Sequence, residues 1–368
     1  MTTDLDYKFS FPAIRGIQAK REYYLIMCPL RLIPRLFVFD EVGEIPPEMR
    51  AQRVLNRARV PEIARYVVEN PHGYIFSAIT ASIDGEVRFD PVSEKGTARN
   101  LGTLVVPMKA RFIVNDGQHR RAALEEALKQ RPELADETIA VVLFVDTGLK
   151  WSQQMFADLN KHAVRPTKSL GILYDHRNPM AALVRNLIER VSVFKGMTDT
   201  EKTSISNRSI KLFTLSSIYQ ATQALLRKSK KDAVSSEDEG LAFEFWTEVA
   251  KQIPEWNLAA ERKASSAELR RDYIHAHGVA LQALGIAGAD LIRRHSRDWK
   301  TKLKALKKVD WSRSNTALWE GRAMHGGKVS KANDSIILAA NVLKERLGIP
   351  LSKEEERLEK EYQRRRRS

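Results

Sequence analysis

The chain has 368 residues, 43% of them hydrophobic and 29% charged, and its 61 lysines and arginines outnumber 46 aspartates and glutamates for a formal charge of +15. This composition excludes an extended disordered chain and gives length enough for two domains, or for one large domain with an appendage. A single cysteine, Cys28, excludes an internal disulfide framework and a cysteine-built zinc site, and no stretch approaches the roughly 20 apolar residues of a bilayer span.

Taken in chain order, Tyr23–Met27 and Leu36–Phe39 are β-branched or aromatic runs broken by Pro29 and Pro34, which suits edge strands more than a central one. Pro46–Ala58 opens on two prolines suited to a first helical turn and sets Arg50, Arg53 and Arg57 on one face. Pro61–Glu69 predicts a second short helix, closed by Asn70-Pro71. Tyr74–Ile83 predicts a strand, with a hairpin turn at Asp84-Gly85 and a return through Val87 and Phe89. Strands over Leu101–Val106, Arg111–Val114 and Ile139–Val145, with helices over Ala122–Gln130 and Trp151–Lys161, complete a mixed α/β half.

After about Leu170 the period changes. Met180–Val193, Ile210–Arg227, Leu241–Ile253, Tyr273–Arg294 and Ser335–Leu347 carry apolar residues at helical spacing, and no convincing strand intervenes. Lys228–Gly240, lysines followed by serines and acids, predicts a loop. The expected fold class is α+β: a mixed α/β domain over 1–170, a mainly helical domain over 171–350 and a charged C-terminal tail over 351–368.

The surplus charge is clustered. Between Arg293 and Arg313 nine lysines and arginines face only Asp298 and Asp310, with Trp299 and Trp311 among them. Arg364–Arg367 precede the last residue, and near the front Arg15, Lys20, Arg21, Arg31 and Arg35 are opposed by Glu22. Any one cluster could be a solvated face. Three in one chain point to double-stranded DNA, because neutralising its phosphates releases counterions. Arg31 and Arg35 are candidate contacts, as are Arg322 and Lys328 in a basic, glycine-rich loop. The two tryptophans are either base-stacking platforms or helical-domain core. Cys28 beside Arg31 is either a small buried apolar residue or a regulatory thiol with a lowered pKa.

The stretch Arg111–Arg121 runs from an apolar strand through an abrupt polar turn into the helix-forming Ala122–Leu128. Such a junction aims free backbone amides and a positive helix end at one spot, and Gly117 lets an anion approach the backbone. Arg120 and Arg121 add charge suited to a phosphate. Asp116 could hold a divalent cation or an attacking water, or merely cap the helix. His119 could move a proton, or be a bonded, partly buried histidine. Arg121 and Glu125 also have the spacing of a surface ion pair.

Asp116-Gly117-Gln118-His119-Arg120 is the DGQHR signature, placed after a strand and before a helix. On it, and on Tyr23 with Pro29-Leu30-Arg31, Leu159-Asn160 with Arg165 and Ser169, and Ser206-Asn207-Arg208-Ser209, the chain resembles the DndB family, DNA-binding regulators of bacterial DNA phosphorothioation systems. The resemblance implies a ParB/sulfiredoxin-like fold in which this turn binds nucleotide phosphates. It makes Asp116, Gly117, Gln118, His119 and Arg120 the phosphate-site candidates, joined by Arg121 for its charge beside the turn, with Asn160 and Arg165 secondary, and adds Arg208 to the DNA candidates. It implies repression of the family's own modification operon, and dealings with other phosphorothioation proteins. ATP or another nucleotide with Mg²⁺ would be the cofactor, and a homo-oligomer would match a palindromic site. Whether the turn also hydrolyses nucleotide, with Asp116 and His119 catalytic, stays open.

Other chemistries find no support. A Walker A loop would need glycine at Arg322 and serine or threonine at Val329. His275 and His277, two apart on a predicted helix, point to different faces, so no metal is expected there. The first residues lack a secretory pattern, so a cytoplasmic setting without a membrane partner is expected.

Overall fold

The computed structural model describes residues 7–38, 55–145, 149–161, 166–206, 208–230 and 232–367. The expected helix over Pro46–Ala58, with Arg50 and Arg53, lies outside the described residues except at its end, where Arg57–Arg59 form a 3-10 turn. The chain divides into two compact units, Met1–Val164 and Arg165–Ser368.

The first unit contains, in order, β1 (Lys8–Gln18), β2 (Arg21–Pro29), α1 (Ile33–Leu36), β3 (Phe37–Val38), α2 (Val60–Glu69), β4 (Ile79–Asp84), β5 (Arg88–Pro91), β6 (Leu101–Pro107), β7 (Arg111–Asp116), α3 (Gln118–Gln130), β8 (Thr138–Val145) and α4 (Leu149–Lys161). The eight strands form one mixed sheet in the order β3-β7-β4-β8-β2-β1-β6-β5. β4 runs parallel to β8 and antiparallel to β7, and all of Ile79–Ile83 is buried. Ile26, Ile79, Phe112, Val114 and Val141 from the sheet pack with Val67 of α2 and with Leu124 and Ala127 of α3 to make the core.

Two expectations change here, and one strand is unforeseen. The run Tyr23–Met27 is central, flanked by β1 and β8, with Pro29 only at its end. β1 itself carried no recognisable signal, because the turn joining it to β2 is Ala19-Lys20, both with positive φ, where Asn-Gly would ordinarily mark a hairpin. No hairpin forms at Asp84-Gly85. Both edges of β4 are already taken by β7 and β8, so the chain crosses over and β5 pairs with β6 at the far end of the sheet.

The second unit is helical: α5 (Lys168–Tyr174), α6 (Pro179–Arg190), α7 (Leu215–Leu226), α8 (Ser236–Ala250), α9 (Pro254–Ala260), α10 (Ser266–Asp272), α11 (Gly278–Arg294), α12 (Trp299–Leu303), α13 (Thr316–Trp319), α14 (Asn333–Arg346) and α15 (Lys353–Arg367). α11 packs between α7 and α14. Gly285 permits this closeness, since a Cβ there would meet the Ala221 carbonyl oxygen at 2.2 Å. Two small ladders interrupt the helices, β9 (Thr198–Asp199) with β10 (Phe213–Thr214), and β11 (Met324–His325) with β12 (Lys328–Val329). The predicted loop is shorter than expected because Ser235 and Asp238 form a capping box that starts α8.

Trp299 and Trp311 are core residues, the latter stacked on Trp319 at 5.6 Å and 12°. The charged tail is largely the helix α15, with Glu359 and Tyr362 buried. Among the described residues no helix is long and apolar enough to cross a membrane.

Candidate functional site

β7 ends at Asp116 and α3 begins at Gln118, leaving Gly117 as the cap residue with φ 106°. A Cβ there would approach Ile79 Cγ1 at 3.2 Å and the Arg120 guanidinium at 3.3 Å, so both conformation and space select glycine. Asp116 therefore does not cap the helix. Its carboxylate accepts from Arg120 Nη2 at 2.6 Å. Arg120 Nη1 donates to the Ser77 carbonyl and hydroxyl oxygens, both at 2.6 Å, and to the Ala78 carbonyl at 2.7 Å, fastening the segment that enters β4.

The neighbours are also turned toward the scaffold. Gln118 is buried, and its Nε2 donates to the Asn115 carbonyl at 3.1 Å. Arg121 is buried as well, donating from Nε to Phe37 O at 3.0 Å and from Nη2 to Pro34 O at 2.9 Å, and it pairs with Glu125. His119 Nε2 accepts the Asn56 amide at 3.2 Å, which engages that nitrogen's lone pair. Behind the turn Asn115 is fully buried and accepts from Ser82 Oγ at 2.8 Å, a pair with no sequence signal because neither residue sits in a recognisable motif.

The turn thus offers backbone outward and uses most of its side chains inward. The first intrahelical bond runs from Arg121 N–H to the Gly117 carbonyl at 2.9 Å, so the amides of Gln118 and Arg120 have no carbonyl within the helix. Asp116 and His119 remain half-buried. Replacing Arg120 with methionine should lower stability by roughly 1–3 kcal/mol, because Asp116 and the carbonyls before β4 lose a charged donor. Urea unfolding measures this, and an unchanged midpoint would show that the clamp holds nothing.

The other candidates are scattered. Asn160 lies in α4, its side chain outside the described residues, as is Arg165 altogether. Cys28 is fully buried, and burial pushes its thiol up to about 12, which fits the small buried apolar reading and is opposite to a regulatory thiol lowered by Arg31. Arg31 is exposed and pairs with Asp136; Arg35, Arg208 and Lys328 are exposed. Arg322, by contrast, is buried in a two-pronged ion pair with Glu359 and stacks over Tyr362 at 4.2 Å, so its guanidinium is directed inward. The glycine-rich loop is a tight turn whose Gly326 and Gly327 amides donate to Glu320.

A basic surface does form around α12. Trp299, Leu303, Leu306 and Val309 face the core, which leaves Arg294, Arg297, Lys304, Lys307 and Lys308 exposed. Within the same run Arg293 pairs with Asp290 and Lys300 with Glu244. Among the described residues no carboxylate lies within ion-pair distance of the five.

These features describe a protein with a mixed α/β unit carrying a strand–turn–helix junction bent at Gly117 and a helical unit with an exposed cationic face. The chain belongs to the DndB family, whose model, described as DNA-sulfur modification-associated, matches residues 11–350. No curated protein and no solved structure matches it. Membership implies a role in a DNA phosphorothioation system and association with its proteins.

Proposed function

We propose that the protein is a DNA-binding transcriptional regulator that represses a DNA phosphorothioate-modification operon, acting on promoter DNA as a homo-oligomer. The observation that carries this reading is the exposed run Arg294, Arg297, Lys304, Lys307 and Lys308, which no carboxylate among the described residues neutralises. Such charges contact phosphates, which orient a protein on the duplex without reading its sequence. Arg35, Arg208 and Lys328 are further candidate phosphate contacts.

The reading includes a nucleotide at the β7–α3 turn. Its phosphates would meet the amides of Gln118 and Arg120 at the positive end of α3, and Gly117 removes the side chain that would block them. Asp116, its side chain 42% exposed, is the carboxylate that could share an Mg²⁺ ion with those phosphates. Hydrolysis at the same turn is the second reading, favoured by the half-exposed Asp116 and His119. Phosphate release that survives both Asp116→Ala and His119→Ala would remove it.

The DNA test is an anisotropy titration with promoter duplex at several salt concentrations. Reversing Lys304, Lys307 and Lys308 together to glutamate should weaken binding at least tenfold and flatten the log–log salt slope by about 0.9 for each phosphate no longer neutralised. Binding of unchanged strength and slope would overturn the assignment of this face.

A further inference from the structure

The second unit holds a cavity of 610 Å³ at the start of α11, a volume within the roughly 300–1,000 Å³ of small-molecule sites. Its lining brings together four cationic side chains, Arg270, Arg271, Arg313 and Lys331, against one carboxylate, Glu268. Arg271 is already paired with Asp272. Arg313 donates to the carbonyls of Arg270, Arg271 and Gly327, which fixes its position without neutralising it. Lys331 has no carboxylate within ion-pair distance among the described residues. Arg270 is committed to the carbonyls of Lys211, Ser206 and Ser209, and desolvation lowers its pKa; partial desolvation beside the cavity lowers that of Lys331 as well, although much of its side chain reaches solvent.

The backbone adds to this. Gly278, the first residue of α11, lies so close to α7 that a Cβ would meet Ser217 Oγ at 2.6 Å. The first intrahelical bonds of α11 run from Ala280 and Leu281 back to the His277 carbonyl, so the Gly278 and Val279 amides precede them at the positive end of a 17-residue helix. The same lining carries apolar surface from Leu212, Phe213 and Leu281. A ligand matching both features has an anionic end and an apolar or aromatic body.

We propose that this cavity is a second phosphate site, separate from the β7–α3 turn, which takes a phosphorylated small molecule of nucleotide size. Its phosphate would sit between Lys331, Arg313 and the first turn of α11, with the body of the ligand against Leu212 and Leu281. The site stands whether or not the turn at Gly117 binds anything.

The test is equilibrium dialysis of the full chain with ATP, and with inorganic pyrophosphate as the body-free probe, in the parent protein, Lys331→Glu and Asp116→Asn. Lys331 is exposed and makes no hydrogen bond among the described residues, so its reversal leaves the fold intact, which circular dichroism checks. Lys331→Glu should weaken ATP binding at least tenfold at one site while Asp116→Asn keeps it. If the turn also binds, the parent takes two equivalents and each variant loses a different one. ATP binding lost in Asp116→Asn but untouched in Lys331→Glu would overturn the inference and leave the turn standing. Failure of the parent to bind ATP or pyrophosphate would overturn it too, as would a Lys331→Glu variant that loses affinity for duplex DNA alone.

Discussion

Glu359→Ala should destabilise the second unit by about 3–5 kcal/mol, because it strips the counter-charge from a buried arginine. The Arg322 and Glu359 side chains are only 12% and 9% exposed, and the two guanidinium nitrogens grip the two carboxylate oxygens. Among the described residues Arg322 Nε has no partner, and the Leu338 carbonyl, 3.5 Å from Nη1, is a weak substitute for a carboxylate. The loss reaches further through Asn341, whose Nδ2 lies 3.4 Å from Glu359. Urea unfolding of the full chain reads the effect, and limited proteolysis within α15 should accelerate. The double replacement Arg322→Met with Glu359→Met should recover much of the loss, since two apolar chains leave no orphaned charge. A single variant as stable as the parent would mean that water reaches Arg322 in solution.

Acid should weaken the same unit well above the range where carboxylates titrate. His275 is fully buried, accepting from Trp256 Nε1 at 3.1 Å, and burial lowers its pKa to about 3. His277, with Nε2 2.7 Å from the Arg270 carbonyl, is lowered by burial to about 4. The unfolded chain binds these protons near pH 6.5. Between that value and the folded ones the unfolded state holds more protons, so the stabilisation is complete above about pH 6.5 and drains away as pH falls. Going from pH 7 to pH 5 should remove about 2 kcal/mol for each histidine, about 4 for the pair. Urea midpoints followed by tryptophan fluorescence measure it, with Trp256 and Trp311 packed against His275 as reporters. Asp290 and Glu355 lie below the usual carboxylate range, held there by Lys344, and so do not contribute to this window. A midpoint flat from pH 7 to pH 5 would contradict the buried, neutral state of both rings.

The local order of strand, turn and helix was legible around Gly117 because its signals are local: an apolar run, a glycine, then helix formers. The destinations of the side chains were not. Arg120 and Arg121 look like phosphate ligands by type, yet they reach carbonyls at Ser77, Ala78, Phe37 and Pro34, which only the tertiary fold brings near. The mixed α/β character and most helices followed from periodicity, whereas strand order did not, since pairing depends on which edges other strands have already taken. α15 read as a solvated tail because its inward stripe is Glu355, Leu358, Glu359 and Tyr362, two of them carboxylates that meet Lys344 and Arg322. Hydrophobic periodicity cannot see a helix that packs through ion pairs. The cavity at α11 is assembled from residues between Thr203 and Lys331, with no motif among them.

The place of β2 in the sheet has a consequence for biosynthesis. β1 and β2 leave the ribosome well before β8, yet β8 is the partner on the open side of β2, with Tyr24 opposite Leu143 and Cys28 opposite Ile139. At translation speeds of about 5–20 residues per second, that edge waits on the order of ten seconds for its neighbour. Over that interval the nascent chain presents a row of unsatisfied amides and carbonyls flanked by apolar side chains, a target for holding chaperones and a hazard in crowded polysomes.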